Sequence, residues 1–142
     1  MAFDEDTIEV FHDSFRRCQN SPAFVARFYD RFISANPEVA AKFAGVEMRK
    51  QRKVLQASLL MVMLACQGND AAQQYLGSIA ARHARTQLDI RPDLYDLWLE
   101  CLIETVAEMD PRFSDAVEQA WRQVMAHGIS YMKSRYDTTA PE

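Results

Sequence analysis

The sequence predicts an all-α chain of six to eight helices. Apolar residues recur at three- and four-residue spacing over long stretches, and no run alternates apolar and polar residues as a half-buried strand would. The four glycines and five prolines fall where helices would begin or end.

Taken in order, Thr7 is the expected cap of a first helix with Ile8, Phe11, Phe15 and Cys18 on one face. Ser21-Pro22 pairs a cap with a proline suited to a first helical turn, and Phe24, Val25, Phe28, Phe32 and Ile33 follow at helical spacing. Asn36-Pro37 stops that helix and starts a short one ending near Phe43, and Gly45 breaks the chain again. Residues 47–67 form a long helix carrying Met48, Leu55, Leu59, Val62 and Met63. Gly68-Asn69-Asp70 ends it and caps the next, which runs to about His83. Pro92 starts a helix through Leu94, Leu97, Trp98, Leu102 and Val106, which Asp110-Pro111 interrupts. Ser114 caps a final helix with Val117, Trp121, Val124, Met125, Ile129 and Met132 on its apolar stripe. No linker or repeat divides residues 1–142, so one domain is expected, with residues 1–6 and 137–142 as loose termini.

The chain has 142 residues, 49% hydrophobic and 25% charged, enough to build a core that encloses a ligand. The net charge of −4 argues against nonspecific binding to nucleic acid or to an anionic membrane. The longest apolar run, Leu59 to Cys66, is far short of a membrane span. The start, Met1-Ala2-Phe3-Asp4-Glu5-Asp6, is acidic where a secretory signal is basic. Cys18, Cys66 and Cys101 show no CxxC, zinc or CxxCH spacing, and read as reduced core thiols in a cytoplasmic protein.

His83 is the candidate metal ligand. It ends an amphipathic helix, Leu76-Gly77-Ser78-Ile79-Ala80-Ala81-Arg82-His83, and a turn-like stretch separates it from Ile90-Arg91-Pro92-Asp93-Leu94-Tyr95. A neutral imidazole beside an apolar face is suited to bind the metal of a flat cofactor. A plain structural histidine has the same pattern, so the rest of the chain decides between them.

Phe28-Tyr29-Asp30-Arg31-Phe32, Asn36-Pro37-Glu38, Phe43, Gln51, His83 and Arg91-Pro92-Asp93-Leu94-Tyr95 fall in that order along nearly the whole chain, from about residue 7 to 136. In this the sequence resembles the globins, above all bacterial single-domain haemoglobins and the globin part of flavohaemoglobins. The resemblance implies a globin fold around a haem pocket, with haem b as cofactor.

It also implies roles. His83 matches the proximal histidine that binds the haem iron and leaves the other face open to a gas. Phe43 matches the phenylalanine that packs on the porphyrin. Tyr29 matches the distal tyrosine, whose hydroxyl donates to bound oxygen. Gln51 matches the distal glutamine, with Leu55 one turn on; a one-residue shift would put Lys50 and Val54 there instead, and the run Arg52-Lys53-Val54-Leu55 fits both registers. His12 and His127 fall where no distal ligand belongs. Arg82 and Arg85 are candidates to pair with the haem propionates or, equally, solvated surface arginines.

Tyr95 matches a tyrosine that in flavohaemoglobins joins the proximal histidine and a glutamate in a hydrogen-bonded network. The matching region here, Lys133-Ser134-Arg135-Tyr136, carries no carboxylate, which weakens a peroxidase-like reading. A second departure is the stretch Ala84 to Asp89, about two residues longer than in flavohaemoglobins. The function implied is reversible binding of oxygen, nitric oxide and carbon monoxide, used for oxygen scavenging or for nitric oxide dioxygenation. Dioxygenation yields nitrate and ferric iron and so needs a reductase, and with no flavin or nicotinamide domain in these residues the electrons are expected from another protein. The alternative is a haem-based gas or redox sensor acting through a partner.

Overall fold

Several helix starts in this protein are set by side chains that accept from the otherwise unpaired first-turn N–H groups. In the computed structural model, which describes residues 4–137, seven helices follow one another: α1 (Glu5–Gln19), α2 (Phe24–Ala35), α3 (Pro37–Phe43), α4 (Met48–Cys66), α5 (Asp70–His83), α6 (Pro92–Met109) and α7 (Asp115–Ser134). Asn36 caps α3 by accepting from Glu38 N at 2.7 Å, Asn69 caps α5 from Ala72 N at 2.9 Å, and Ser114 caps α7 from Val117 N at 3.3 Å. Pro37 and Pro92 each occupy a first turn, where a missing N–H costs nothing. Gly68, at φ 85, takes the left-handed turn between α4 and α5.

Four local expectations are corrected. Asp4, not Thr7, caps α1, accepting from Asp6 N at 3.1 Å, and Thr7 lies inside the helix. A carboxylate ahead of Glu5 and Asp6 also suits the positive end of the helix dipole. Ser21 closes a turn by accepting from Ala23 N at 3.2 Å, and α2 starts only at Phe24. Gly77 and Gly128 are not breaks but lie within α5 and α7. A Cβ on Gly128 would meet Val62 Cγ2 at 3.2 Å, so the missing side chain lets α7 cross close over α4. Of the residues expected to be loose, Glu5 and Asp6 belong to α1 and Asp137 pairs with Arg85, while residues 1–3 and 138–142 lie outside the described residues.

The core sits where α1 packs on α7 and α2 on α6. Phe11, Phe15 and Phe24 surround Trp121, with the Phe11 ring 4.6 Å from it edge-on. Burying each such side chain is worth about 1.5–3 kcal/mol. The Trp121 indole donates to Ser14 Oγ at 2.9 Å, Ser14 donates to Asp110 at 2.6 Å, and Arg17 donates to Asp110 at 2.6 and 2.9 Å. Every polar atom of that buried chain is matched, which fixes the α6–α7 corner against α1. Cys18, Cys66 and Cys101 are buried and free. Among the described residues no helix is long and apolar enough to cross a membrane.

Candidate cofactor-binding site

Away from the Trp121 core, α2 to α7 do not close on one another. They leave a cavity of about 490 Å³, within the range of small-molecule and cofactor sites. Its wall is mostly apolar: Phe32, Val39 and Phe43 from α2 and α3, Leu55, Leu59 and Val62 from α4, Leu94 and Trp98 from α6, Met125 and Met132 from α7.

His83, the last residue of α5, lies on that wall. Its Nδ1 is 2.7 Å from the carbonyl oxygen of Ile79, one turn back. A carbonyl only accepts, so Nδ1 carries the proton and the lone pair of the neutral ring sits on Nε2. Burial, with a smaller push from Arg82, lowers the imidazole's pKa against the pull of the Ile79 bond, which favours the neutral ligand form. Among the described residues no three of His, Cys, Asp or Glu converge as a ligand set. A metal at His83 must therefore bring its other donors with it, as a porphyrin iron does. The mostly apolar space, the single imidazole and its tautomer all fit haem.

Tyr29 is buried on the same wall, edge-on to Phe43 with 5.4 Å between ring centroids. Gln51 Nε2 donates to its hydroxyl oxygen at 3.2 Å. That bond uses the phenol as acceptor, so its proton stays available to another group in the cavity. Burial, partly offset by the Gln51 bond, pushes the Tyr29 pKa up to about 12, so the donor persists across the physiological range.

Both candidate registers of α4 reach the cavity: Gln51 and Leu55 line it, and so do Lys50 and Val54. Gln51 is half-buried and bonded to Tyr29, whereas Lys50 is exposed and has no ion-pair partner among the described residues. Tyr95 lines the cavity beside Met132 and Ala80, and no carboxylate bonds its hydroxyl among the described residues. Arg82 is exposed on the wall. Arg85 is not on it: it pairs with Asp137 at 2.7 Å and stacks on Tyr136, 52 and 51 residues further along the chain. His12 and His127 do not line the cavity either.

Sequence reasoning missed Lys42, Trp98 and the loop residues Leu88 and Ile90, all on the wall. Trp98 could have been found as the next turn of the α6 stripe after Leu94 and Tyr95. The Lys42 Nζ donates to Leu88 O at 2.8 Å and so joins α3 to the loop after His83, a contact 46 residues apart that leaves no local signal.

The globin family model matches residues 26–132. A flavohemoprotein of Vibrio cholerae serotype O1 is 30% identical over 109 residues, covering 70% of this chain and 26% of the relative. The chain therefore spans about a quarter of that relative's length. A Pseudomonas aeruginosa PAO1 protein, whose crystal structure is structurally highly homologous to a human hemoglobin, superposes with a TM-score of 0.88 at 36% identity, over 93% of this chain and 99% of that one. With these relatives and with a single imidazole set in an apolar cavity among seven helices, the chain belongs to the globin family.

Proposed function

We propose that this globin holds haem b through His83 and binds oxygen, nitric oxide and carbon monoxide beside Tyr29 and Gln51, for oxygen scavenging or nitric oxide dioxygenation. One observation carries the reading: a single cavity contains both an imidazole with its lone pair on Nε2 and a phenol with an uncommitted proton. Haem held there would supply an iron able to bind a diatomic gas and to exchange one electron.

The protein's part follows from its side chains. Ile79 O orients His83 and keeps it in the ligating tautomer. A neutral carbonyl leaves the ring less electron-rich than a carboxylate would, and Tyr95 brings no carboxylate to it, which suits reversible binding over O–O cleavage. Tyr29 would offer its hydroxyl proton to a ligand in the cavity, a contact that would favour the most polarised ligand, oxygen, over the other two. Gln51 holds the phenol in place. Phe43, Leu55 and Val54 keep water from the site. Lys42, Lys50 and Arg82 are the cations on the wall that can meet the propionates. Dioxygenation turns over only with an electron donor, in this reading a separate reductase. The similarity to a flavohemoprotein supports that use, and three buried free thiols suit the reducing cytoplasm.

The test is a titration of the purified chain with haemin, followed by visible spectra of the ferric, ferrous and carbon monoxide forms. One haem per chain and a carbon monoxide adduct are expected. Failure to take up haem, or a ferrous form that refuses carbon monoxide, would contradict the proposal.

A further inference from the structure

We propose that Tyr136 and Asp89 form a latch that positions His83, an inference that rests on the reading of His83 as the haem ligand. The loop that leaves α5 at His83 turns straight back on it. Ile90 N donates to His83 O at 3.0 Å, Leu88 N to Arg82 O at 3.0 Å and Asp89 N to Ala84 O at 2.9 Å. So tight a return puts Asp89 at φ 54, the only non-glycine residue with positive φ among the described residues. Aspartate tolerates the left-handed region better than most residues, but the conformation still costs free energy and needs support.

The support comes from the segment that follows α7. The Tyr136 hydroxyl donates to the Asp89 carboxylate. Arg85 N donates to Tyr136 O at 2.9 Å, and the Arg85 guanidinium lies 5.0 Å over the Tyr136 ring while pairing with Asp137. From the other side, Lys42 grips Leu88 O and Arg91 pairs with Glu38 of α3. The loop is thus a strap tied at both edges, and its Leu88 and Ile90 line the cavity. Neither Asp89 nor Tyr136 lines it. They touch His83 through the Ile90–His83 bond, as positioning residues.

The test uses the full chain, with and without haemin. Tyr136→Phe removes the donor and keeps the ring over Arg85. Exchange of the Leu88, Asp89 and Ile90 amide hydrogens should quicken about tenfold, the loss of one hydrogen bond to a charged group, while amides in the middle of α7 hold. Asp89→Ala should do the same, and Asp89→Asn, which keeps an acceptor and tolerates positive φ, should restore most of the protection. In the reduced, haemin-loaded protein the iron–histidine stretch should shift or broaden in Tyr136→Phe and return in Asp89→Asn. Unchanged loop exchange overturns the latch. Faster exchange at Leu88 and Asp89 with Ile90 and the stretch unmoved shows a loop tie with no hold on His83, and overturns the positioning role. The haem reading is judged apart, on haemin uptake by the unmodified chain, and the Ile90 amide decides the latch either way.

Discussion

Tyr29→Phe changes one atom in the site. The ring, its edge contact with Phe43 and its burial stay, and the hydroxyl goes. That hydroxyl accepts from Gln51 at 3.2 Å, which leaves its proton free to be, in the proposed reading, the donor to a bound gas. Its pKa near 12 rules out loss of the proton near neutrality as a competing effect. A buried hydrogen bond to a partly charged acceptor is worth about 1.5–3 kcal/mol, which is roughly a 10- to 150-fold change in an equilibrium constant. Gln51 loses its acceptor in the same variant, and a freed amide that turns to the gas offsets part of the loss, so the lower half of the range is expected. The change should fall on the dissociation rate. Stopped-flow oxygen release should therefore quicken about 10- to 40-fold, while carbon monoxide, which carries little charge when bound, changes far less. Autoxidation should quicken with oxygen release. An oxygen release rate within about twofold of the unmodified protein would refute the polar-pocket reasoning and leave a gas sensor as the better account.

Gln51→Leu should also speed oxygen release, by less than Tyr29→Phe, and Lys50→Leu should matter little; a larger effect from Lys50 would put the lysine register in control. With no histidine beside Tyr29 and Gln51, the ferrous form should be five-coordinate, and a low-spin six-coordinate absorption spectrum near neutral pH would show an internal ligand, with Lys50 and Lys53 the first to replace. Asp110→Asn should cost about 2–4 kcal/mol in chemical denaturation, because Arg17 loses its charge partner and Ser14 its strongest acceptor. Burial would raise the Asp110 carboxyl, but the bonds from Arg17, Ser14 and Arg112 N outweigh it and leave the pKa below the ordinary 3.8. The stability this gives is present above that value and is lost as pH falls through the lower folded-state value, so the two proteins should converge in strong acid; a gap that persists there would remove Asp110 ionisation as the cause.

What was legible in the sequence was whatever is decided within a few residues. Asn36, Asn69 and Ser114 each cap the helix that follows by accepting from an amide two or three residues on, and the sequence marks all three. Thr7 misled because Asp4 does the same work one turn earlier, with Glu5 and Asp6 behind it. Gly77 and Gly128 read as punctuation because a glycine that breaks a helix and one that admits a neighbouring helix look alike until the neighbour is known. The same limit governs the site. Helical spacing brings Lys50, Gln51, Val54 and Leu55 all to a wide cavity wall, and what favours the Gln51 register, its burial and its bond to a phenol on α2, depends on the packed neighbour. Arg85 could not be told from a propionate partner, since Asp137 lies 52 residues away. The Tyr136–Asp89 contact spans 47 residues and leaves no periodic trace.

The central claim is that His83 Nε2 is the protein's bond to a haem iron. Resonance Raman of the reduced, haemin-loaded chain beside His83→Ala tests it most directly. An iron–histidine stretch in the first, lost in the second together with much of the haem affinity, is the predicted result. The same stretch surviving in His83→Ala would contradict it.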